Sequence, residues 1–134
     1  MTPVRLYSLV AVAVVFAAVP TIRYFRRHRK TDADRERERR DLINRIGRIT
    51  DGTVTDVREI TLDGRGHVPR PVQLVIYQYD VAGVSYEAAQ DVTYLRQLID
   101  LHACRLGLPA SIKYDPHNAG NSIVIAEGWS GLRM

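Results

Sequence analysis

The chain is 134 residues long, with 46% apolar and 25% charged residues and a formal net charge of +4. Its single cysteine, Cys104, excludes an intramolecular disulfide framework and agrees with a reducing compartment. The net charge hides a division: residues 26–48 carry ten cations against five acids, and residues from 49 onward carry seven against ten. The bulk of the chain is therefore mildly acidic, a poor candidate for sequence-independent nucleic-acid binding.

Leu6 to Ile22, LYSLVAVAVVFAAVPTI, is an uncharged apolar run followed by the basic collar Arg23, Arg26, Arg27, Arg29 and Lys30. At a helical rise it spans roughly 25 Å, and its flanks bring it to about the thickness of a bilayer's hydrocarbon core. Two other readings fit less well. A cleaved signal peptide wants its cations before the apolar core rather than after it. A buried core helix is not usually closed by so many cations. The run reads as a single transmembrane helix of an inner-membrane protein. The excess of cations after it predicts that the C-terminal domain is cytoplasmic. Pro20 lies in the last turn, where it kinks rather than breaks the helix. Tyr7, Tyr24 and Phe25 are expected at the two interfaces. The collar residues Arg23, Arg26, Arg27, Arg29 and Lys30 are candidates for contact with anionic lipid headgroups, although setting topology alone would account for them.

Thr31 to Arg48 is rich in helix formers, opens with Thr31 three residues before Asp34 at a capping-box spacing, and pairs Glu36 with Arg40 across one turn. It predicts a juxtamembrane surface helix whose first half is polar all round and solvated, or lies along headgroups. Its stripe Leu42, Ile43, Ile46 and Ile49 would meet a globular domain.

From Gly52 the texture changes to Thr, Val, Ile and Tyr, which suits strands. Gly52 to Leu62 is a first strand whose apolar positions alternate only if a bulge falls near Asp56. Asp63 to Pro71 is a loop by composition. Val72 to Val81 reads as a central strand and Ala82-Gly83 as a hairpin turn, and Val84, Tyr86 and Ala88 alternate with Ser85 and Glu87 in the return strand. Tyr77, Tyr79 and Tyr86 suggest core packing more than a base-stacking platform.

Asp91 to Leu106 has a helical period, with Val92, Leu95, Ile99, His102 and Leu106 on one face. Ala110 to Tyr114 and Ser122 to Glu127 are the last two strands, joined by the turn residues Asp115, Pro116 and Asn118 and their neighbours. Trp129 in the tail would either cover a barrel mouth or touch the membrane interface.

No catalytic, cofactor-binding or metal residues emerge. The sequence has no HExxH, P-loop or CxxC pattern; Asp115 with His117 lacks a nucleophile, and His102 lacks companion ligands. Cys104 reads as a small buried hydrophobe.

Three short motifs resemble a large bacterial membrane-anchored family of unknown function. They are Gly52-Thr53-Val54, Val75 through Tyr79 followed by Gly83 and Tyr86, and Ile112-Lys113-Tyr114-Asp115-Pro116 with Asn118. The resemblance implies a membrane-tethered β-barrel-like module and carries over no catalytic residues. Ala119 departs from it where a second proline is usual, and the helix at Asp91 to Leu106 departs by insertion.

The expected organisation is a transmembrane anchor (1–25), a charged juxtamembrane helix (26–50), a small antiparallel β domain, OB-like or a partly open barrel with one inserted helix (51–128), and a tail (129–134). The function expected is that of a non-enzymatic interaction or scaffolding module with an unidentified protein partner. The alternative is an OB-like module binding anionic lipid or nucleic acid.

Overall fold

The structure, a computed structural model, describes residues 18–27, 30–63 and 68–134. The chain divides into two compact units, Met1–Arg35 and Glu36–Met134. In the first, residues 18–27 form helix α1. Most of the predicted span, residues 6–17, lies outside the described residues. Among the described residues no helix is long and apolar enough to cross a membrane.

Helix α2 (Asp32–Ile46) begins at the predicted capping box. The Thr31 N–H donates to Asp34 Oδ2 at 3.0 Å, and the Asp34 N–H donates to Thr31 Oγ1 at 3.2 Å. Each satisfies a donor that the first helical turn leaves open. Gly47 ends the helix, its N–H donating to the Ile43 carbonyl at 2.7 Å.

The second unit is built on an open five-stranded antiparallel sheet. Its strands are β1 (Arg48–Asp63), β2 (Pro69–Val81), β3 (Val84–Asp91), β4 (Pro109–Asp115) and β5 (Asn118–Ile123), in the order β3-β2-β1-β4-β5. A second, two-stranded sheet pairs β6 (Ile125–Ala126) with β7 (Trp129–Ser130). The expected bulge is present, because the β1–β2 register shifts between Val54 and Asp56. One extra residue reverses the alternation, so Val54 opposite Tyr77 and Val57 opposite Val75 share the core face despite their odd spacing. The β2–β3 hairpin turns at Ala82 (φ 51°) and Gly83 (φ 82°), with Val81 opposite Val84. Two successive left-handed residues match the twist of the strands.

The core gathers Val54, Val75, Tyr77, Tyr79, Val92, Leu95, Ile99, Ala110, Ile112, Val124 and Ile125. The sheet does not close into a barrel, because no backbone ladder among the described residues joins β3 to β5. The side chain of Gln90, at the end of β3, bridges to the β5–β6 link instead. Its Oε1 accepts the Val124 and Ile125 N–H groups at 2.8 and 3.2 Å, and its Nε2 donates to the Ile125 carbonyl at 2.6 Å.

Several expectations need correction. Asp91 to Leu106 is not an α-helix: a single 3-10 turn, Thr93–Leu95, is followed by turns. Asp91 Oδ1 accepts the Thr93 N–H, and Asp100 Oδ1 accepts the His102 N–H. These local side-chain bonds compete with helix at both ends of the segment. Along the predicted face burial follows Val92, Leu95 and Ile99 but not the last two positions, leaving His102 exposed and Leu106 73% exposed. Pro69 to Pro71 belongs to β2 rather than to a loop; beyond the reach of β3 this part of β2 is an edge, where proline loses no ladder bond. Residues 64–67 of the expected loop lie outside the described residues. The last turn is only Pro116-His117, and β5 starts at Asn118.

Trp129 covers no barrel mouth. It pairs in β7 and packs on Ile43, Ile123 and Ala126. After it the chain runs beside β4, with Ser111 N–H donating to the Gly131 carbonyl at 2.7 Å and Leu132 bridging Ala110. A side chain at Gly131 would collide with the Ser111 carbonyl.

Candidate functional site

Two groups of cations come from the basic part of the sequence, and they have different fates. Arg23, Arg26 and Arg27 on α1 are exposed, as is Lys30; Arg29 lies outside the described residues. On the same helix Val19, Ile22, Tyr24 and Phe25 are also exposed, and the Tyr24 and Phe25 rings meet edge to face at 6.1 Å. Exposed apolar, aromatic and cationic side chains on one helix are the combination that suits a lipid headgroup boundary.

The second group is Arg39 and Arg40 of α2, which are not solvated as the polar half of that helix predicted. Both turn onto the β sheet. Arg39 forms a two-pronged pair with Glu36, Nε to Oε2 at 2.8 Å and Nη2 to Oε1 at 2.7 Å, and its Nη1 donates to Asn121 Oδ1 at 2.7 Å and to the Ser122 carbonyl at 3.2 Å. The hydrogen bonds that Arg39 donates to Glu36, partly offset by burial, raise the pKa of its guanidinium, which therefore stays charged. Arg40 is buried, and its Nη2 donates to Glu127 Oε1 at 2.9 Å. That bond holds the Glu127 carboxyl below the usual carboxylate range. Arg40 Nε and Glu127 Oε2 are buried without a partner among the described residues, so the pair is held by one strong bond.

One helical turn on, the chemistry changes. Ile43 is buried against Ile123, Ala126 and Trp129. Lys113 Nζ donates to Asn44 Oδ1 at 2.6 Å and to the Asn44 carbonyl at 3.1 Å, and lies 4.4 Å from the centre of the Trp129 ring. Of the predicted stripe only Ile43 is covered; Leu42, Ile46 and Ile49 stay exposed. Beside the Glu36–Arg39 pair is an open cleft of about 440 Å³ lined in part by Leu74, Ala88, Ala89 and Gly120.

The remaining candidates are placed by local geometry. Asp115 Oδ1 accepts the backbone N–H of His117 at 2.8 Å, so the carboxylate shapes the turn with Pro116 and Asn118 rather than orienting an imidazole. Cys104 is half-buried on the core, and burial with the nearby Asp100 raises its thiol pKa, away from the reactive thiolate. Tyr77 and Tyr79 are buried, with hydroxyls bonded to Ser122 Oγ at 3.0 Å and to the Ala119 carbonyl at 2.6 Å. Burial pushes the Tyr77 phenol above its ordinary range. Tyr86 stacks on Tyr79 at 5.6 Å, so these rings are used by the core. Among the described residues no three His, Cys, Asp or Glu side chains stand where they could hold a metal ion.

The roles of three residues, Gln90, Arg39 and Arg40, were not expected from the sequence, although each carried a signal. Gln90 continues the inward positions Tyr86 and Ala88 by one step, and a polar residue at an inward strand position calls for buried partners. Arg39 and Arg40 lie four and three residues before Ile43, on the same helical stripe. Comparison with models of protein families, with curated proteins and with solved structures returns no match.

Proposed function

We propose that the chain is a single-pass inner-membrane protein that holds its β domain, of partly open barrel form, on the cytoplasmic side as an interaction or scaffolding module. The observation that carries this reading is the uncharged run Leu6 to Ile22 closed by five cations within residues 23–30. The exposed apolar and aromatic residues of α1 support it. The protein partner would meet the domain rather than the anchor. A reporter fused after Met134 tests the orientation: activity restricted to the cytoplasm is expected, and activity only outside it overturns the reading. Recovery of the protein in the soluble fraction without detergent overturns the anchor itself.

A second reading, contact with anionic lipid, is favoured by the exposure of Arg23, Arg26 and Arg27. Cations near an anionic surface contribute about 1 kcal/mol each. Reconstitution into vesicles with and without phosphatidylserine separates the readings. A collar that recruits anionic lipid enriches it around the protein, and replacement of the three arginines by glutamine abolishes the enrichment. Equal lipid surroundings for both proteins leave the collar a topology signal alone. Nucleic acid fits least, given the acidic β domain and the buried tyrosines.

A further inference from the structure

The β1–β2 ribbon outruns the strands beside it. β4 pairs with β1 only from Arg48 to Thr53, and the segment before β4 adds one step, with Val54 N–H donating to the Leu108 carbonyl and Gly107 N–H to the Val54 carbonyl. β3 reaches β2 only as far as Leu74. Residues 57–63 of β1 therefore have β2 on one side and no described strand on the other.

The direction of the open backbone groups follows from bonds already made. Gln73 turns away from β1, because its carbonyl accepts the Val92 N–H and its N–H donates to Thr93 Oγ1. Glu59, its cross-strand partner, must then turn away from β2, and by alternation so must Val57, Thr61 and Asp63. Pro71 opposite Thr61 and Pro69 opposite Asp63 agree with this, since proline has no N–H to give to β1. The two sides of the ribbon are thus guarded differently. Pro69 and Pro71 and the Thr93 contact protect the β2 side. On the β1 side Asp56 Oδ1 caps the Val57 N–H, after which the N–H groups of Glu59, Thr61 and Asp63 meet no acceptor among the described residues. Leu62, 47% exposed, stands on this stretch.

We propose that this edge pairs with the same edge of a second copy of the chain, antiparallel about a two-fold axis at Ile60. Outward residues pair with outward residues, so the axis must pass through a single residue. An axis at Glu59 sets Glu59 against itself, and one at Thr61 sets Glu59 against Asp63 of the second copy; like charges directly opposite are destabilising. The axis at Ile60 sets Glu59 against Thr61, joins Ile60 to Ile60, and lays the Arg58 stem beside Leu62. It matches the stretch 57–63 onto itself. A strand from a different protein is the competing occupant of the edge.

The test uses the full chain in detergent micelles. A dimer is expected by sedimentation, together with slow exchange of the Glu59 and Thr61 amide protons. Thr61→Pro removes only outward donors and should weaken self-association by at least about tenfold without unfolding the sheet. In a Cys104→Ser background, Ile60→Cys should form an intermolecular disulfide on mild oxidation, because facing residues of a non-hydrogen-bonded pair stand about 4.5 Å apart at Cα. Thr61→Cys should form it far less. A monomer at every concentration, a dimer indifferent to Thr61→Pro, or equal cross-linking at both positions overturns the proposal. So does protection of these amides only after another protein is added. If Thr61→Pro fails to fold, the cysteine pair decides alone.

Discussion

Two segments pack onto the sheet of this protein by opposite chemistry. The link from Asp91 to Leu106 looks helical and apolar in sequence, yet it folds as one 3-10 turn followed by turns and is held by Val92, Leu95 and Ile99 in the core. Helix α2, whose first half looks solvated, is a true helix, held by Arg39, Arg40, Ile43 and Asn44. The apolar link needs only to fill volume, a demand without direction, so backbone regularity yields to local Asx bonds. The polar helix needs its donors aimed, and a regular helix aims them. Periodicity reports which side chains share a face; it does not report whether the face is wanted as a helix.

The largest test of this contrast is Leu95→Ala. Removing a fully buried side chain from the apolar link should cost about 3 kcal/mol, read as a lower urea midpoint with an unchanged slope. A loss under about 1 kcal/mol would mean that the link is not part of the core. Arg40→Ala probes the polar attachment and should cost about 1–2 kcal/mol, discounted because Glu127 is partly exposed. Arg40→Met, which keeps the stem, should recover part of this if packing contributes.

A smaller effect concerns acid. Glu127 has a folded pKa below its unfolded value, so its contribution is present above the unfolded pKa and is lost as pH falls through the folded one. Wild-type stability should therefore fall on acidification below about pH 4.5 more steeply than that of Glu127→Gln. Parallel acid limbs for the two proteins would show that the Arg40–Glu127 bond does not form in solution. Outside both segments, Ala82→Asn should stabilise by roughly 0.5 kcal/mol, since Asn accepts the left-handed backbone that Ala82 adopts at φ 51°. It calibrates the others, because it touches neither attachment.

Much of the fold was legible because it rests on local chemistry. The Thr31–Asp34 cap, the bulge before Asp56, the Ala82-Gly83 turn and the inner strand around Val75 each declare themselves within a few residues. The turn at Asp115 and Pro116 does so as well. The prolines of β2 misled for an instructive reason: proline opposes a central strand but not an edge, and which residues stand at an edge depends on where a distant strand ends. The candidate surfaces were half legible. The exposure of Arg23, Arg26, Arg27 and Lys30 follows from composition. The partial burial of Arg39 and the full burial of Arg40 depend on Asn121, Ser122 and Glu127, more than eighty residues away.

The sequence by itself determined the mainly antiparallel β character of the domain, its turns, its bulge and the start of α2, because alternation, φ preference and capping act between neighbours. Only the tertiary structure decided that the apolar link abandons helix and that Gln90 bridges the open side of the sheet. It alone decided that the N–H groups of Glu59 and Thr61 are left facing outward. Each of these depends on which groups meet across the fold, and a buried polar atom or an open backbone donor is defined by its partners rather than by its residue type.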